Sequence, residues 1–167
     1  MKLVLTEDQE LIAKTAADFV AERSPIGRVR ELRDTQDPVG FSRDLWKEMA
    51  ELGWVGIPFS EALGGADLGL AELTVVLEQL GRNLAPEPFL SSVLLGGQAL
   101  LLSGAEAACG EWLPKLAAGD AVLALAYQEA GSRYDLRAIA TRAEATSSGY
   151  TLTARSSRSW TATLPTR

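Results

Sequence analysis

Between Leu70 and Leu102 the chain reads LAELTVVLEQLGRNLAPEPFLSSVLLGGQALLL, and its pattern changes character halfway. Leu70, Leu73, Leu77, Leu80 and Leu84 recur at three- and four-residue spacing, which is one stripe of an α-helix. Glu72, Glu78, Gln79 and Arg82 fall on the other faces. Pro86 and Pro88 stop that helix, because proline lacks an amide donor and disfavours helical geometry in the residue before it. A second helix can begin with Pro88 in its first turn. Phe89, Leu90, Val93, Leu94, Leu95, Ala99, Leu100, Leu101 and Leu102 make it apolar on nearly every face, which predicts burial on all sides. It is too short for the roughly 20 apolar residues of a membrane span, and Ser91, Ser92, Gly96, Gly97 and Gln98 interrupt it. The two helices are expected to form a central hairpin that others wrap.

The flanking pattern is also mostly helical. Thr6 and Gln9 have capping-box spacing, and Leu11, Ile12, Thr15, Ala16, Phe19 and Val20 form a stripe that Ser24-Pro25 ends. Residues 25–41 read as a solvated connection with room for one helical turn. Ser42 caps a helix with Leu45, Trp46, Met49 and Leu52 inward and Gly53 at the C′ position. WVGIPFSEALGGADLG follows as a loop; no strand precedes it, as a phosphate-binding glycine loop requires. Gly104 ends one helix, and Ala105 to Ala117 form another around Trp112, Leu113 and Leu116. Beyond Gly119-Asp120 the period changes. AVLALAYQE reads as a buried strand, RAIATRAEA alternates, Ser147-Ser148-Gly149 turns, and YTLTA resumes a strand. The expected fold is mainly α: an N-terminal up-and-down helical domain over residues 1–118, then, over 119–153, a few strands of an incomplete β-barrel domain. Three strands without a partner sheet are marginal.

Composition narrows the chemistry. A net charge of −6 with no basic block argues against nucleic acid and against an anionic membrane surface. Cys109 is the sole cysteine, so no internal disulfide forms, which fits a reducing, cytoplasmic setting. MKLVLTEDQE carries acids where a signal peptide needs an apolar run. With no histidine and one cysteine, His-based triads, His-ligated metals and zinc sites are excluded. Any chemistry is expected from a cofactor or from a residue on another segment.

Taken in order, TEDQELIAKTAADFVAE, WKEMAELGWVGIPFSEALGGADLG, LTVVLEQLGRNLAPEPFL, LPKLAAGDAVLALAYQEAG and TRAEATSSGYTLT resemble the acyl-CoA dehydrogenase family over residues 1–153. AYQEAGSRYDL is similar to the small-subunit branch typified by pimeloyl-CoA dehydrogenase and bacterial steroid-degrading relatives. The resemblance implies an N-terminal helical domain, a middle β-barrel, a C-terminal helical bundle, FAD, and an acyl-CoA thioester as substrate. It implies α,β-desaturation, with a glutamate of the C-terminal bundle taking the α-proton and the flavin N5 taking the β-hydride. That bundle has no counterpart here, so no catalytic residue is assigned. The chain is expected to be a C-terminally truncated fragment, inactive alone, with FAD binding weak or absent. The implied partners are a large acyl-CoA dehydrogenase subunit or further copies of the chain, and an electron-transfer acceptor. The alternative is a non-catalytic helical module that docks such a large subunit.

The family's flavin-contacting strand reads aromatic-x-x-T-E-P-x-A-G-S-D and runs up to T-R-A-E, and Thr141-Arg142-Ala143-Glu144 sets that register without a gap. The resemblance then places Leu125, Tyr127 and Gln128 where backbone and hydroxyl groups meet the flavin. Glu129 and Asp135 match the motif. Gln128 replaces the usual threonine but still offers a donor and an acceptor. Tyr134 stands where a substrate-contacting serine is usual. Phe89, Ser91 and Ser92 fall where relatives line the acyl pocket, and small side chains there leave room for a long or bulky acyl group. Plain core packing is the alternative for both groups. Trp46, Trp54 and Trp112 are expected in the core or an interface.

From Ala145 onward there is no acidic residue. Trp160 is encoded only by TGG and the codon for Thr161 begins AC, so a frame shifted by one nucleotide reads GAC, aspartate, at that point. The shifted frame is compatible with TLTG-x-x-V-x-V-LDGHAAD, which resembles what the family carries after GYTLT. Residues 154–167 are therefore expected to be an out-of-frame, disordered tail that packs on nothing.

Overall fold

The computed structural model describes residues 4–129, 131, 132, 135 and 137–158, the last three by their backbone. Helix α1, Glu7–Arg23, opens on the expected capping box: Thr6 Oγ1 accepts from the Gln9 N–H at 3.2 Å, and the Thr6 N–H donates to Gln9 Oε1 at 3.1 Å. It packs on α4, Leu70–Arg82. One end of that contact is tied by Gln9 Nε2 donating to Glu72 Oε1 at 2.8 Å. At the other end Asn83 Nδ2 donates to the carbonyls of Val20 and Ser24 at 3.2 and 3.3 Å, tying the end of α4 to the end of α1, where Val20 O also accepts the Ser24 N–H at 3.0 Å.

The 25–41 connection holds more helix than its polar pattern predicts. Helix α2, Ile26–Asp34, buries none of its residues, so no apolar stripe announces it. It is held by charge instead. Arg28 donates through both terminal nitrogens to Glu87, and through Nη1 to Ser24 Oγ at 2.9 Å. The Glu87 side chain is fully buried and that of Arg28 is 18% exposed. A bidentate pair of this kind fixes direction as well as distance.

Helix α3, Arg43–Glu51, is capped by Ser42, whose Oγ accepts the Leu45 N–H at 3.1 Å. It ends at Gly53, φ +78°, with Gly53 N–H to Ala50 O at 2.8 Å and Trp54 N–H to Met49 O at 3.1 Å. That double bond pattern needs a left-handed residue, which glycine adopts without a Cβ penalty. Leu52, expected inward, is exposed. The loop that follows is part of the core, since Trp54, Val55, Ile57 and Phe59 are buried. Gly65 lets it fold back, because a Cβ there would lie 2.1 Å from Phe59 O.

In α4, Leu73 and Leu80 are buried, but Leu70 and Leu84 are exposed. The helix stops at Arg82 and Leu84 takes a positive φ of 53°, which swings it off the stripe. The expected central hairpin is not the packing unit. The main partner of α4 is α1, while the next segment packs on α6, Glu106–Ala117. That segment, Phe89–Gly97, is π-helical and runs into a short α5, Gln98–Leu102. Wider turns carry one extra residue each, so apolar positions spaced for an α-helix fan out around the axis. Ser91, Ser92, Val93, Gly96 and Gly97 point inward, whereas Leu90 and Leu102 are exposed, so burial on all sides does not occur. Trp46 and Trp54 are core residues as expected; Trp112 is 41% exposed, with Lys115 Nζ 4.6 Å over its ring.

AVLALAYQE is not a buried strand. Residues 121–127 belong to no helix or strand and are only partly buried, and β1 is Gln128–Glu129 alone. β2, Arg142–Thr146, and β3, Gly149–Thr153, form the expected hairpin, with Arg142 opposite Thr153 and Thr146 opposite Gly149. Both strands are exposed along their whole length. The tail expectation needs correcting at three residues: β4, Ser156–Arg158, pairs antiparallel with β1, so it does not pack on nothing. The remainder, from residue 159, lies outside the described residues. Among the described residues no helix is long and apolar enough to cross a membrane. The fold is mainly α, as the pattern predicts.

Candidate functional site

Phe89, Ser91 and Ser92 occupy the first turn of the π-helical segment and all three are buried. Trp46 meets Phe89 edge to face, with centroids 5.1 Å apart and an interplanar angle of 72°, so the ring is held by α3. Ser91 Oγ donates to Pro88 O at 3.3 Å. Ser92 Oγ accepts the Leu123 N–H at 2.7 Å. This last bond reaches across 31 positions and ties the run of residues 121–127 to the π-helical segment at Leu123. Gly96 makes that approach possible, because a Cβ there would come within 2.8 Å of Leu123 Cβ.

Leu125 lies two residues beyond Leu123 in the same run. With Gly96, Ala99, Leu100, Trp112 and Val122 it lines an open, largely apolar groove of about 630 Å³. Tyr127 is 39% exposed, and Gln128 is half-buried at the start of β1. The structure thus sets Phe89, Ser91 and Ser92 beside the run that carries Leu125, Tyr127 and Gln128. Tyr134 lies outside the described residues.

The site offers hydroxyls, a phenol, a carboxamide and apolar surface, while the carboxylates at its two ends are both engaged. Glu87 is locked to Arg28. Glu129 accepts from Ala140 N–H at 2.7 Å, Thr141 N–H at 3.0 Å and Thr141 Oγ1 at 2.7 Å. The Thr141 hydroxyl, then the Ala140 amide, hold its carboxyl below the ordinary value of 4.5. Among the described residues no group of His, Cys, Asp and Glu could hold a metal ion.

Two polar devices escaped the sequence reading. One is the network of Ser24, Arg28, Asn83 and Glu87, whose members look like surface residues one by one. The other surrounds Glu129: Ser132, 5% exposed, accepts the Glu129 N–H at 3.1 Å and donates to Glu129 O at 2.9 Å. A serine next to Gly131 was the available signal, since such pairs make side-chain-to-backbone turns.

The family model described as acyl-CoA dehydrogenase, N-terminal domain, matches residues 6–120, and the chain belongs to that family. Benzylmalonyl-CoA dehydrogenase of Aromatoleum aromaticum is 29% identical over 168 aligned residues, covering 99% of this chain and 43% of that protein. Among solved structures, an acyl-CoA dehydrogenase complexed with FAD from Bacillus anthracis has a TM-score of 0.78 at 28% identity, covering 89% of this chain and 25% of that one. The ChsE4-ChsE5 complex from Mycobacterium tuberculosis has a TM-score of 0.75 at 28% identity, covering 92% and 40%. The chain spans less than half the length of these relatives.

Proposed function

We propose that this chain carries the acyl-lining and flavin-facing part of an FAD-dependent acyl-CoA dehydrogenase, which introduces an α,β double bond into an acyl-CoA thioester. Residues 1–118 are its helical domain and 119–153 the first strands of its middle β domain. The observation that carries the reading is the 2.7 Å bond from Leu123 N–H to Ser92 Oγ. It sets the acyl-lining candidates Phe89, Ser91 and Ser92 against the run leading to the flavin-facing candidates Leu125, Tyr127 and Gln128. A flat ring system with polar edges suits a half-exposed run that offers a phenol and a carboxamide next to an apolar groove. When bound, FAD supplies the hydride-accepting chemistry. The chain's own residues then position: Phe89, braced on Trp46, forms a rigid apolar wall, and Tyr134 is the substrate-side candidate by the family register alone. No residue of this chain is assigned as the base.

A large acyl-CoA dehydrogenase subunit or a second copy completes the assembly, and a separate carrier accepts the electrons. The exposed Leu90, Leu102 and Trp112 favour a covering partner. They equally favour the second reading, a non-catalytic helical module docked on a large subunit. A residue-resolved NMR titration of the chain with millimolar FAD separates the two. Weak binding with shifts confined to residues 125–128 supports the dehydrogenase part. Absence of any shift in that run, together with tight association with a large subunit, supports the docking module.

A further inference from the structure

We infer that Glu129 is a positioning residue: by gripping Ala140 and Thr141 it sets the rotation of β1 about its own axis, and so the direction in which Tyr127 and Gln128 present their polar groups. The inference rests on the proposed flavin-facing role of residues 125–128.

β1 has two residues and a single ladder to β4, with a register shift between Gln128 and Glu129. So short and irregular a pairing leaves the twist of the strand underdetermined. Successive side chains of an extended chain point to opposite faces, so anchoring Glu129 on one side aims Gln128 to the other. The anchor is built from both ends. The carboxylate accepts two backbone N–H groups and one hydroxyl, from Ala140 and Thr141, all between 2.7 and 3.0 Å. Charge-assisted bonds of this length are the strong and directional kind. The Glu129 backbone is bracketed by Ser132, through its hydroxyl and through its N–H to Glu129 O at 3.1 Å. Arg137 and Arg155 line one pocket with Glu129, and Asp135 accepts from Arg137 Nε at 3.3 Å. The lowered carboxyl value agrees with an ionised grip, favoured first by the Thr141 hydroxyl.

The test is an acid titration of the full chain by ¹⁵N–¹H NMR, in wild type, Glu129→Gln, Thr141→Val, Thr141→Ser and Asp135→Asn. The Ala140, Thr141 and Gln128 amides of the wild type should follow one common titration below the ordinary carboxylate value of 4.5. That titration should vanish at all three amides in Glu129→Gln, weaken in Thr141→Val, return in Thr141→Ser and persist in Asp135→Asn. If Ala140 and Thr141 titrate while Gln128 does not, Glu129 merely staples its loop and the inference is overturned. Loss of the titration in Asp135→Asn overturns it too. An FAD titration keeps the two readings apart. No wild-type shift at residues 125–128 removes the flavin reading but leaves the Glu129 result intact. Shifts identical in wild type and Glu129→Gln remove the positioning role.

Discussion

Replacing Ser92 by alanine removes one oxygen from a fully buried side chain and should open the candidate site without unfolding the domain. Ser92 is 0% exposed, and its Oγ is the acceptor for the Leu123 N–H at 2.7 Å. Alanine fills almost the same volume, so no large cavity forms. The cost is an unpaired amide, about 1–3 kcal/mol for a buried donor. Leu123 is half-buried, so water reaches the amide once the run lifts, and the lower part of that range applies, about 1–2 kcal/mol. A change of that size shifts the open fraction by a factor of about 5–30. Native-state hydrogen exchange reads it directly, because local openings are seen below the global limit. The Leu123 amide should exchange about 5–30 times faster in Ser92→Ala, while Val76, in the middle of α4, keeps its wild-type rate. Equal acceleration at Val76 would show a global effect, and an unchanged Leu123 would show that the bond does not hold the run. Either result refutes the reasoning.

Two further changes probe the devices that the sequence hid. Glu87→Gln should destabilise by about 3 kcal/mol, the low end for breaking a buried pair because Arg28 still reaches solvent, and should lower the urea midpoint without changing its slope. Acid should loosen the α1–α4 contact, since the Glu72 carboxyl is held below its ordinary 4.5, first by Gln9 and then by backbone amides. A depressed folded value means that the stabilisation is complete above 4.5 and is lost as pH falls through the lower folded value. Gln9→Ala should flatten that acid dependence in thermal melts; an unaltered profile would assign it to another carboxylate.

The legible parts of this fold were those set by local chemistry. The Thr6–Gln9 box, the Ser42 cap, the Gly53 stop and the β2–β3 hairpin each follow from a few neighbouring residues. What the pattern hid is non-local. Helix α2 has no apolar stripe because its anchor is Glu87, 59 positions from Arg28. The π-helical turns scatter a leucine run that reads as one buried cylinder, so Leu90 and Leu102 face outward. Residues 121–127 look like a buried strand by composition, yet a serine on another element takes the Leu123 amide. Of the candidate site, the family register supplied Phe89, Ser91, Ser92, Leu125, Tyr127 and Gln128. It could not show that Ser92 joins the two groups, nor that Glu129 accepts two amides and a hydroxyl beside them.

The claim that these two groups form one site is tested most directly by a two-ligand NMR titration of the chain. Octanoyl-CoA is added first and FAD second, and the order is then reversed. Binding free energies are linked reciprocally, so two halves of one site must influence each other equally in either order. The account predicts octanoyl-CoA shifts at Phe89, Ser91 and Ser92, FAD shifts at Leu125, Tyr127 and Gln128, and a change in each set when the other ligand is present. Two sets of shifts that ignore one another, or that map to the exposed β2–β3 hairpin, would contradict it.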